Sequence, residues 1–444
     1  MTPVRFVLSW ILLIFMSLAI SSCTDELDPS IETGSVIFIH PDGSGGAMWT
    51  AMRLVEYGPD ALSEWDHLGH LGQYRSHQRN SVSTTSHAGA TVHAYGVKVD
   101  VDTYGNVPSK PVRSASGKDV GIMVEALNAG KAVAVINSGH LCEPGTGVFL
   151  ASAFSRYAMD SISAQIVESG ADIILGGGEV LLLPEGMIGR HGEAGRRGDG
   201  RNLIDRARAL GYAVVFTRDE LLALPDTTSR VFGVFAAYHT FNDMPEEALA
   251  ERGLPLYVPT APTLAEMTEK ALQLLERKNR DFLIVIEEEG SDNFANKNNA
   301  AGTIEAMRRA DQAIGVARRY LVKHPNTLLI TAADSDAGSI GIHPVRDGVD
   351  PTAPLPPTTS NGAPLDGVTG TGTPPFLAQP DANGRRLPFG VAWVSYGDMG
   401  AGVLAKAHGA NAERLPVNVD NTDIYRMMYL TLFGTWPDGS VPSP

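Results

Sequence analysis

The sequence predicts an α/β protein built around a large, mostly parallel β-sheet. From Ser35 onward, short apolar, β-branched runs alternate with segments of helical periodicity, the pattern of strands joined by crossover helices. With 444 residues and 43% hydrophobic content, the chain is long enough to bury the core that such a sheet needs. The runs interpreted as buried strands are residues 36–39, 132–136, 172–175, 213–216, 282–286, 327–331 and 391–395.

The first residues resemble an export signal. Arg5 precedes an apolar run over residues 6–20, and Ser21, Ser22 and Cys23 follow it. Because this run is short and ends abruptly, it predicts a lipoprotein signal peptide over residues 1–22 with Cys23 as the lipidated residue. The alternative is a short anchor with an incidental cysteine. Residues 23–34 then form a polar tether, and the predicted location is the bacterial periplasm or cell surface, as a membrane-anchored lipoprotein.

Residues 83–98 place a hydroxyl among small side chains ahead of a predicted helix. Ser86 is followed by His87, Ala88, Gly89 and Ala90. Small neighbours let a substrate approach closely, which suits a nucleophile. A serine in such a run is also commonly a turn residue or a helix N-cap, so this stretch alone leaves both interpretations open.

The rest of the chain, residues 35–444, is interpreted as one domain with two insertions. The clearest helix is predicted over about residues 302–321, where apolar side chains recur at helical spacing. Insertions are expected at about 237–262 and 347–386, which are rich in proline or in proline, glycine and threonine.

Carboxylates follow four of the predicted strands. In open α/β sheets the residues beyond the carboxyl ends of strands form the functional site. Crowded carboxylates repel one another unless cations neutralise them, so the pattern predicts a metal centre. The residues concerned are Asp42, Glu143, Glu287 with Asp292, and Asp334 with Asp336.

The overall charge constrains the partners. A net charge of −15 with a pI near 5.2 argues against a nucleic-acid partner, since phosphate backbones are bound by clustered Lys and Arg. An anion site on such a chain needs local metal cations or an arginine.

Several segments together resemble the alkaline phosphatase family. Residues 36–43 look like the family's opening strand with its Asp-Gly, and Ser86 to Gly96 and Lys98 keep the spacing of the nucleophile segment. Residues 171–178 and 420–424 resemble further landmarks of the family. The resemblance implies a three-layer α/β/α sandwich, small phosphorylated substrates, and a homodimer as the family's common state.

The resemblance also implies a set of site residues. It predicts metal-dependent hydrolysis of phosphate monoesters through a phosphoserine intermediate, with Ser86 as the nucleophile and Arg156 clamping the phosphate. Thr85 is a rival nucleophile, because related phosphodiesterases use threonine, although the spacing to Gly96 favours Ser86. The candidate substrate-binding residues are Arg156, Thr85 and His87, and the candidate metal ligands are Asp42, Glu143, Glu287, Asp292, Asn296, Asp334 and Ser335.

The sequence departs from the family where zinc is bound. The family's three zinc-binding histidines fall on Asn296, Ser335 and, with less support, Arg386. Asp, Glu, Asn and Ser oxygens suit harder ions than zinc, so magnesium is expected, with zinc, calcium or manganese open as the second metal. Four histidines near the proposed site in sequence could supply nitrogen ligands or simply pack: His40, His87, His93 and His140.

Two other functions stay open at this point. The first is a phosphodiesterase or sulfatase of the same superfamily. The second is a non-catalytic protein that binds an anion or a metal. Relative turnover of the different esters would identify a phosphodiesterase or sulfatase. A non-catalytic binding protein would be stabilised by its ligand without turning over any ester.

Overall fold

The computed structural model describes residues 31–107, 110–346, 349–400, 402–437 and 442. The predicted signal peptide and the lipidated Cys23 lie outside these residues. The end of the predicted tether already joins the domain, because the Glu32 amide donates to Asn411 Oδ1 and the Gly34 amide to the Thr431 carbonyl. No helix among the described residues is long and apolar enough to cross a membrane.

One ten-stranded sheet forms the centre of the fold. Its strands, given in spatial order, are β19 (Asn418–Asp420), β2 (His70–Arg75), β18 (Leu404–Gly409), β10 (Thr327–Thr331), β1 (Ser35–Pro41), β9 (Phe282–Glu288), β5 (Ala132–His140), β6 (Ile173–Gly177), β8 (Val231–Val234) and β7 (Ala213–Val215). Only β18 runs antiparallel to its neighbours β10 and β2 among the described pairings, so the expectation of a mostly parallel sheet is confirmed.

Helices cover both faces of this sheet. They are α1 (Gly46–Glu56), α2 (Ser86–Tyr95), α3 (Ile122–Asn128), α4 (Pro144–Gly147), α5 (Met159–Glu168), α6 (Leu203–Ala209), α7 (Arg218–Leu222), α8 (Glu246–Arg252), α9 (Leu264–Glu276), α10 (Gly290–Ala295), α11 (Ala300–Lys323) and α12 (Asn421–Phe433). Short 3₁₀ turns occupy Glu179–Leu181 and Ala412–Arg414.

Alternation along the strands divides the buried side chains into two cores. In β1, Val36 and Phe38 pack with residues of α2, α3, α5, α6 and α12, whereas Ile37 and Ile39 pack with residues of α1, α9 and α11. Successive side chains of a strand point to opposite faces, so a strand covered on both sides is apolar throughout. The molecule is therefore the three-layer α/β/α sandwich that the resemblance implied.

Smaller sheets form from the segments between and after the main strands. β12 (Gly341–Pro344), β16 (Pro388–Ala392), β13 (Leu365–Gly367), β14 (Gly370–Thr371) and β15 (Phe376–Leu377) make a second sheet. Two short ribbons pair β3 (Asn106–Val107) with β4 (Lys110–Pro111), and β11 (Asp336–Ala337) with β17 (Asp398–Met399). The predicted insertion at 347–386 thus supplies three strands of the second sheet.

Most of the predicted elements are present, with one correction. The helix expected over 302–321 is α11, and the first six predicted strand runs all lie in the central sheet. The prediction that the seventh run, 391–395, continues the parallel sheet was wrong. The strand there is β16, which ends at Ala392 and pairs antiparallel with β12 and β13. An apolar run shows that a strand is buried but not which sheet buries it.

Candidate active site

The carboxyl ends of four adjacent strands form one edge of the central sheet. β10, β1, β9 and β5 are neighbours in that order, and His40 of β1 and Asn137 of β5 both stand opposite Glu287 of β9. Asp42 follows directly after β1, and Asp334 lies just beyond the end of β10 at Thr331. Because parallel strands place their carboxyl ends together, residues nearly 300 positions apart meet at this edge.

Asp42 is the centre of the resulting cluster. Its Oδ1 lies 3.1 Å from His40 Nε2, and His40 Nδ1 lies 2.8 Å from the Ala332 carbonyl. Potential ligand atoms of His40, Asp42 and Glu287 all lie within 4.8 Å of one another, as do those of Asp42, Glu289 and Asp292. Asp42 is common to both groups and is fully buried, so it can bridge two cation positions.

Many oxygens of this cluster are buried without a hydrogen-bond partner. Among the described residues these include both oxygens of Asp334 and the Ser335 hydroxyl. The remaining ones are Asp42 Oδ2, Glu287 Oε1, Glu289 Oε2 and Asn296 Oδ1. Native proteins rarely leave buried polar atoms unpaired, and oxygen donors of this kind are the ligands of magnesium, calcium and manganese. The donor set therefore fits hard divalent cations.

The electrostatics lead to the same conclusion. Burial, reinforced by the charge of Asp42, raises the pKa of Asp334 well above its usual range. The same two causes raise the pKa of Glu287 to about 8. Burial alone would raise the pKa of Asp42 as well, but the hydrogen bond and charge of His40 outweigh burial and lower it to about 2. Buried carboxylates this close repel one another, and cations relieve the repulsion.

Two of the acidic residues at this edge were missed by the sequence analysis. Asn296 Nδ2 donates to both oxygens of Asp292, at 3.1 and 3.0 Å, and to Asp398 Oδ1 at 3.0 Å. Asp398 reaches this position because β17 pairs with β11, which follows directly on Asp334 and Ser335. No local pattern marks Asp398, since it lies about 100 residues further along the chain. Arg386, the expected counterpart of the family's third histidine, instead donates from Nε to the Ala378 carbonyl.

Glu289 is the second acidic residue missing from the predicted site, although its position in a run of glutamates after an apolar strand could have indicated it. Glu287 and Glu288 end β9, Glu289 follows them, and the three side chains point in different directions. Glu288 accepts from Ser138 Oγ at 2.7 Å and Tyr257 Oη at 2.8 Å, whereas Glu287 and Glu289 join the Asp42 cluster. An acidic run directly after an apolar strand places alternate carboxylates on the same side.

Ser86 and Thr85 occupy different environments at the start of α2. Thr85 is the N-cap, and its hydroxyl donates to the Val101 carbonyl. The Ser86 hydroxyl makes no hydrogen bond within the described part of the chain, although the side chain is largely buried. The helix lies directly against this edge of the sheet, since a Cβ on Gly89 would lie 2.3 Å from Asp334 Cβ. The Thr85 hydroxyl is therefore held by a hydrogen bond, whereas the Ser86 hydroxyl is free to react.

Arg156 reaches the same edge from the segment before α5. Its Nη2 donates to Glu143 Oε2 at 3.0 Å, and 27% of its side chain is exposed. Burial opposes its charge, but Glu143 and Glu289 outweigh burial and raise the pKa of Arg156 further. His87 faces this guanidinium, and burial together with the charge of Arg156 lowers the pKa of His87 to about 4. A charged arginine therefore lies beside a neutral histidine.

The four histidines named from the sequence have separate roles. His40 contacts Asp42, and His87 lies near Arg156. His93 packs edge-on against Phe38 and bonds to Tyr74 Oη at 2.7 Å, so it belongs to the core. His140 Nε2 lies 2.9 Å from Glu143 Oε1, and a fifth histidine, His239 of the 237–262 insertion, stacks on it.

Comparison with known proteins identifies the family. Residues 34–352 match the family model for alkaline phosphatase. The alkaline phosphatase of Escherichia coli K12 is 25% identical over 341 residues, which cover 68% of this chain and 69% of that protein. Alkaline phosphatase H of Pseudomonas aeruginosa is 26% identical over 373 residues, covering 74% of this chain and 75% of that protein.

Solved structures share the fold. Alkaline phosphatase from Thermus thermophilus superposes with a TM-score of 0.70 at 23% identity, covering 94% of this chain and 95% of that one. The enzyme from the Antarctic bacterium TAB5 gives a TM-score of 0.67 at 18% identity, covering 90% of this chain and 99% of that one. The family match spans well over half of the sequence. The chain therefore belongs to the alkaline phosphatase family, a family of phosphoric monoester hydrolases.

Proposed function

We propose that this protein hydrolyses phosphate monoesters with Ser86 as the nucleophile, in a site held together by divalent cations. The observation that carries the proposal is the cluster of buried, unpartnered carboxylate oxygens beside the helix that begins at Ser86. Family membership supports the reaction class. Nothing in a purely structural core requires so many unneutralised acids together.

The cations would be held by residues from four segments of the chain. Magnesium is the expected ion, with zinc, calcium or manganese as the second; a variant of the TAB5 enzyme is described with magnesium bound. Such cations act as Lewis acids that stabilise charge on phosphoryl oxygens and favour ionisation of a nearby hydroxyl. The proposed ligands are Asp42, Glu287, Asp292, Asn296, Asp334 and Ser335, joined by His40, Glu289 and Asp398.

The chain itself prepares Ser86 for attack. Ser86 is the first residue of α2, where free backbone N–H groups and the helix dipole favour a bound phosphate anion. The side chains that follow are small, so the phosphoryl group can approach the hydroxyl closely. The Ser86 oxygen forms a bond to phosphorus as the leaving oxygen departs, and water then releases phosphate from the phosphoserine.

Arg156 would hold the non-bridging oxygens of the phosphoryl group. Its guanidinium is charged, partly exposed and fixed by Glu143 through one of its two terminal nitrogens, which leaves donors for the substrate. His87 is neutral beside it and adds a hydrogen-bonding group without a competing positive charge. On a chain of net charge −15, this arginine and the cations are what attract an anionic substrate.

The experiment is turnover of an aryl phosphate by the purified full-length protein in added magnesium, manganese, zinc or calcium. Ser86→Ala should reduce the turnover number at least about a thousandfold, because the nucleophile is lost. Ser161→Ala, on the exposed face of α5, is the matched control and should retain full activity. Mass spectrometry of acid-trapped enzyme should find phosphate on Ser86.

Other results would overturn the proposal. Phosphate trapped on Thr85 would show that Thr85, and not Ser86, is the nucleophile. Faster turnover of a phosphodiester or an aryl sulfate than of the monoester would assign one of the superfamily's other reactions. No turnover of any ester with any of the four metals would leave an anion- or metal-binding protein.

The location and assembly are also proposals. The N-terminal pattern supports export and lipidation at Cys23, which would place the enzyme on a membrane surface outside the cytoplasm, where it could scavenge phosphate. Cys23→Ser should then release the protein from the membrane fraction. Sedimentation of the purified protein tests whether it forms the homodimer common in the family.

A further inference from the structure

His140, Glu143 and His239 form a compact group at the outer end of β5. Glu143 Oε1 lies 2.9 Å from His140 Nε2 and 4.0 Å from His239 Nε2. The two imidazole rings stack at 5.1 Å with an angle of 16° between their planes, so both present Nε2 to the same carboxylate oxygen. Potential ligand atoms of all three residues lie within 4.8 Å of one another.

The backbone fixes these three side chains from separate segments. His140 is the last residue of β5, and the Glu143 amide donates to the His140 carbonyl at 2.9 Å in a tight turn. The Thr240 amide donates to the Ser138 carbonyl at 3.0 Å, which holds the 237–262 insertion against the end of β5. The group is therefore part of the fold's framework and does not depend on a flexible surface loop.

His239 is not explained by hydrogen bonding. Only 9% of its side chain is exposed, yet its Nδ1 has no partner among the described residues. Its Nε2 is 4.0 Å from Glu143, which is beyond hydrogen-bonding distance. Nε2 therefore points toward Glu143 without a hydrogen bond to it, and a ligand between the three residues would give this nitrogen a partner.

The separations suit a metal ion with short bonds to nitrogen and oxygen. Ligand atoms about 2.0–2.1 Å from a tetrahedral zinc ion are about 3.4 Å apart. The observed 2.9 and 4.0 Å lie on either side of that separation. Two imidazoles and one carboxylate leave a fourth position for water, a common arrangement around zinc.

We propose that His140, Glu143 and His239 bind a zinc-class transition-metal ion, as a ligand group that shares no residue with the two groups around Asp42. Imidazole nitrogen favours zinc over magnesium, so this position differs in metal preference from the oxygen-rich centre. The resemblance to the family placed Glu143 at a magnesium position, and the two histidines change that assignment.

The proposed ion also has a structural consequence for the phosphate clamp. Glu143 offers Oε1 to the histidines while Oε2 accepts from Arg156 at 3.0 Å. A metal-bound carboxylate is fixed in orientation, and groups bonded to it are fixed in turn. The ion would therefore position Arg156 without touching the substrate.

The test is the zinc content of the full-length protein, which requires no turnover. Metal-free protein is dialysed against zinc in the presence of excess magnesium, and zinc per chain is measured by mass spectrometry. His239→Phe keeps a ring that can stack on Phe241 and removes both nitrogens. His67→Ala is the matched control, because that histidine is exposed.

The wild type and His67→Ala should retain one more zinc ion per chain than His239→Phe. Glu143→Gln should also lose this ion. When cobalt replaces zinc in the dialysis, the visible absorption of a nitrogen-ligated cobalt ion should be absent from both His239→Phe and Glu143→Gln. Equal zinc content in the wild type and His239→Phe would overturn the proposal. So would complete replacement of zinc by magnesium in the wild type. Loss of the ion with no ester turnover in any variant would refute the phosphatase proposal and leave this one standing.

Discussion

Substitution of Gly89 by alanine should disable the site through a single added methyl group. Gly89 lies in the first turn of α2, where its amide donates to the Thr85 carbonyl at 2.9 Å. A Cβ at this position would lie 2.3 Å from Asp334 Cβ and 2.7 Å from Asp334 Oδ2. Asp334 is fully buried and cannot turn away, so the helix must move.

The size of the movement follows from the contact distances. An ordinary carbon–carbon contact is at least 3.4 Å, so the helix and Asp334 must separate by about 1 Å. Ser86 is one turn away on the same helix and shifts with it. A misplacement of about 1 Å costs on the order of 10²-fold in rate, and overpacking costs about 1–3 kcal/mol of stability. The higher helix propensity of alanine offsets up to about 1 kcal/mol of that loss.

The assay compares aryl phosphate turnover and thermal unfolding of Gly89→Ala with those of Gly341→Ala. Gly341 has open space around the position of an added Cβ, so its variant should match the wild type in activity. A Gly89→Ala enzyme with wild-type turnover would refute the close packing of α2 on Asp334. Lost stability with retained turnover would show that Ser86 is not held in place through this contact.

Four further substitutions, one of them a control, test separate parts of the structure. Burial raises the pKa of Glu246 to about 8. The folded state therefore keeps a proton that the unfolded state releases above its ordinary pKa near 4.5, and stability falls as pH rises between these values. Glu246→Gln should be more stable than wild type by about 1–3 kcal/mol at pH 8 but nearly equal at pH 5, as measured by urea unfolding. Asp398→Ala should reduce bound metal and turnover at least about tenfold, whereas Arg386→Ala should leave both unchanged in dialysis and rate measurements. Asp311 is buried on α11 and accepts from the Trp65 amide at 2.8 Å, so Asp311→Ala should lower the free energy of unfolding by about 2–4 kcal/mol.

The features that sequence reasoning identified are local or depend on a distinctive motif. Fully buried parallel strands such as β1, β5 and β9 are apolar throughout, so short β-branched runs revealed them. Strand β2 was missed because it alternates exposed and buried residues near the edge of the sheet, and a six-residue half-polar run resembles a loop. The second sheet was missed for a similar reason, since its strands are short and separated by prolines.

The site divides in the same way. Asp42, Glu287 and Asp334 were identifiable because each lies at or just beyond the end of a recognisable strand, and parallel strands place such residues at one edge. Asp398 and His239 carry no local signal. They reach the site through the β11–β17 ribbon and the 237–262 insertion, whose positions depend on contacts between segments about 60–100 residues apart.

The sequence by itself determined the α/β class, the positions of most buried strands along the chain and the family, because hydrophobic periodicity and motif spacing are properties of neighbouring residues. Only the tertiary structure decided which donors surround the proposed cation positions. It placed Asp398 beside Asn296 and His239 beside Glu143, and it showed that Thr85 is engaged while Ser86 is free. The physical reason is that a ligand set is defined by distances of a few ångströms between distant segments, and those distances exist only once strand order and loop packing are fixed.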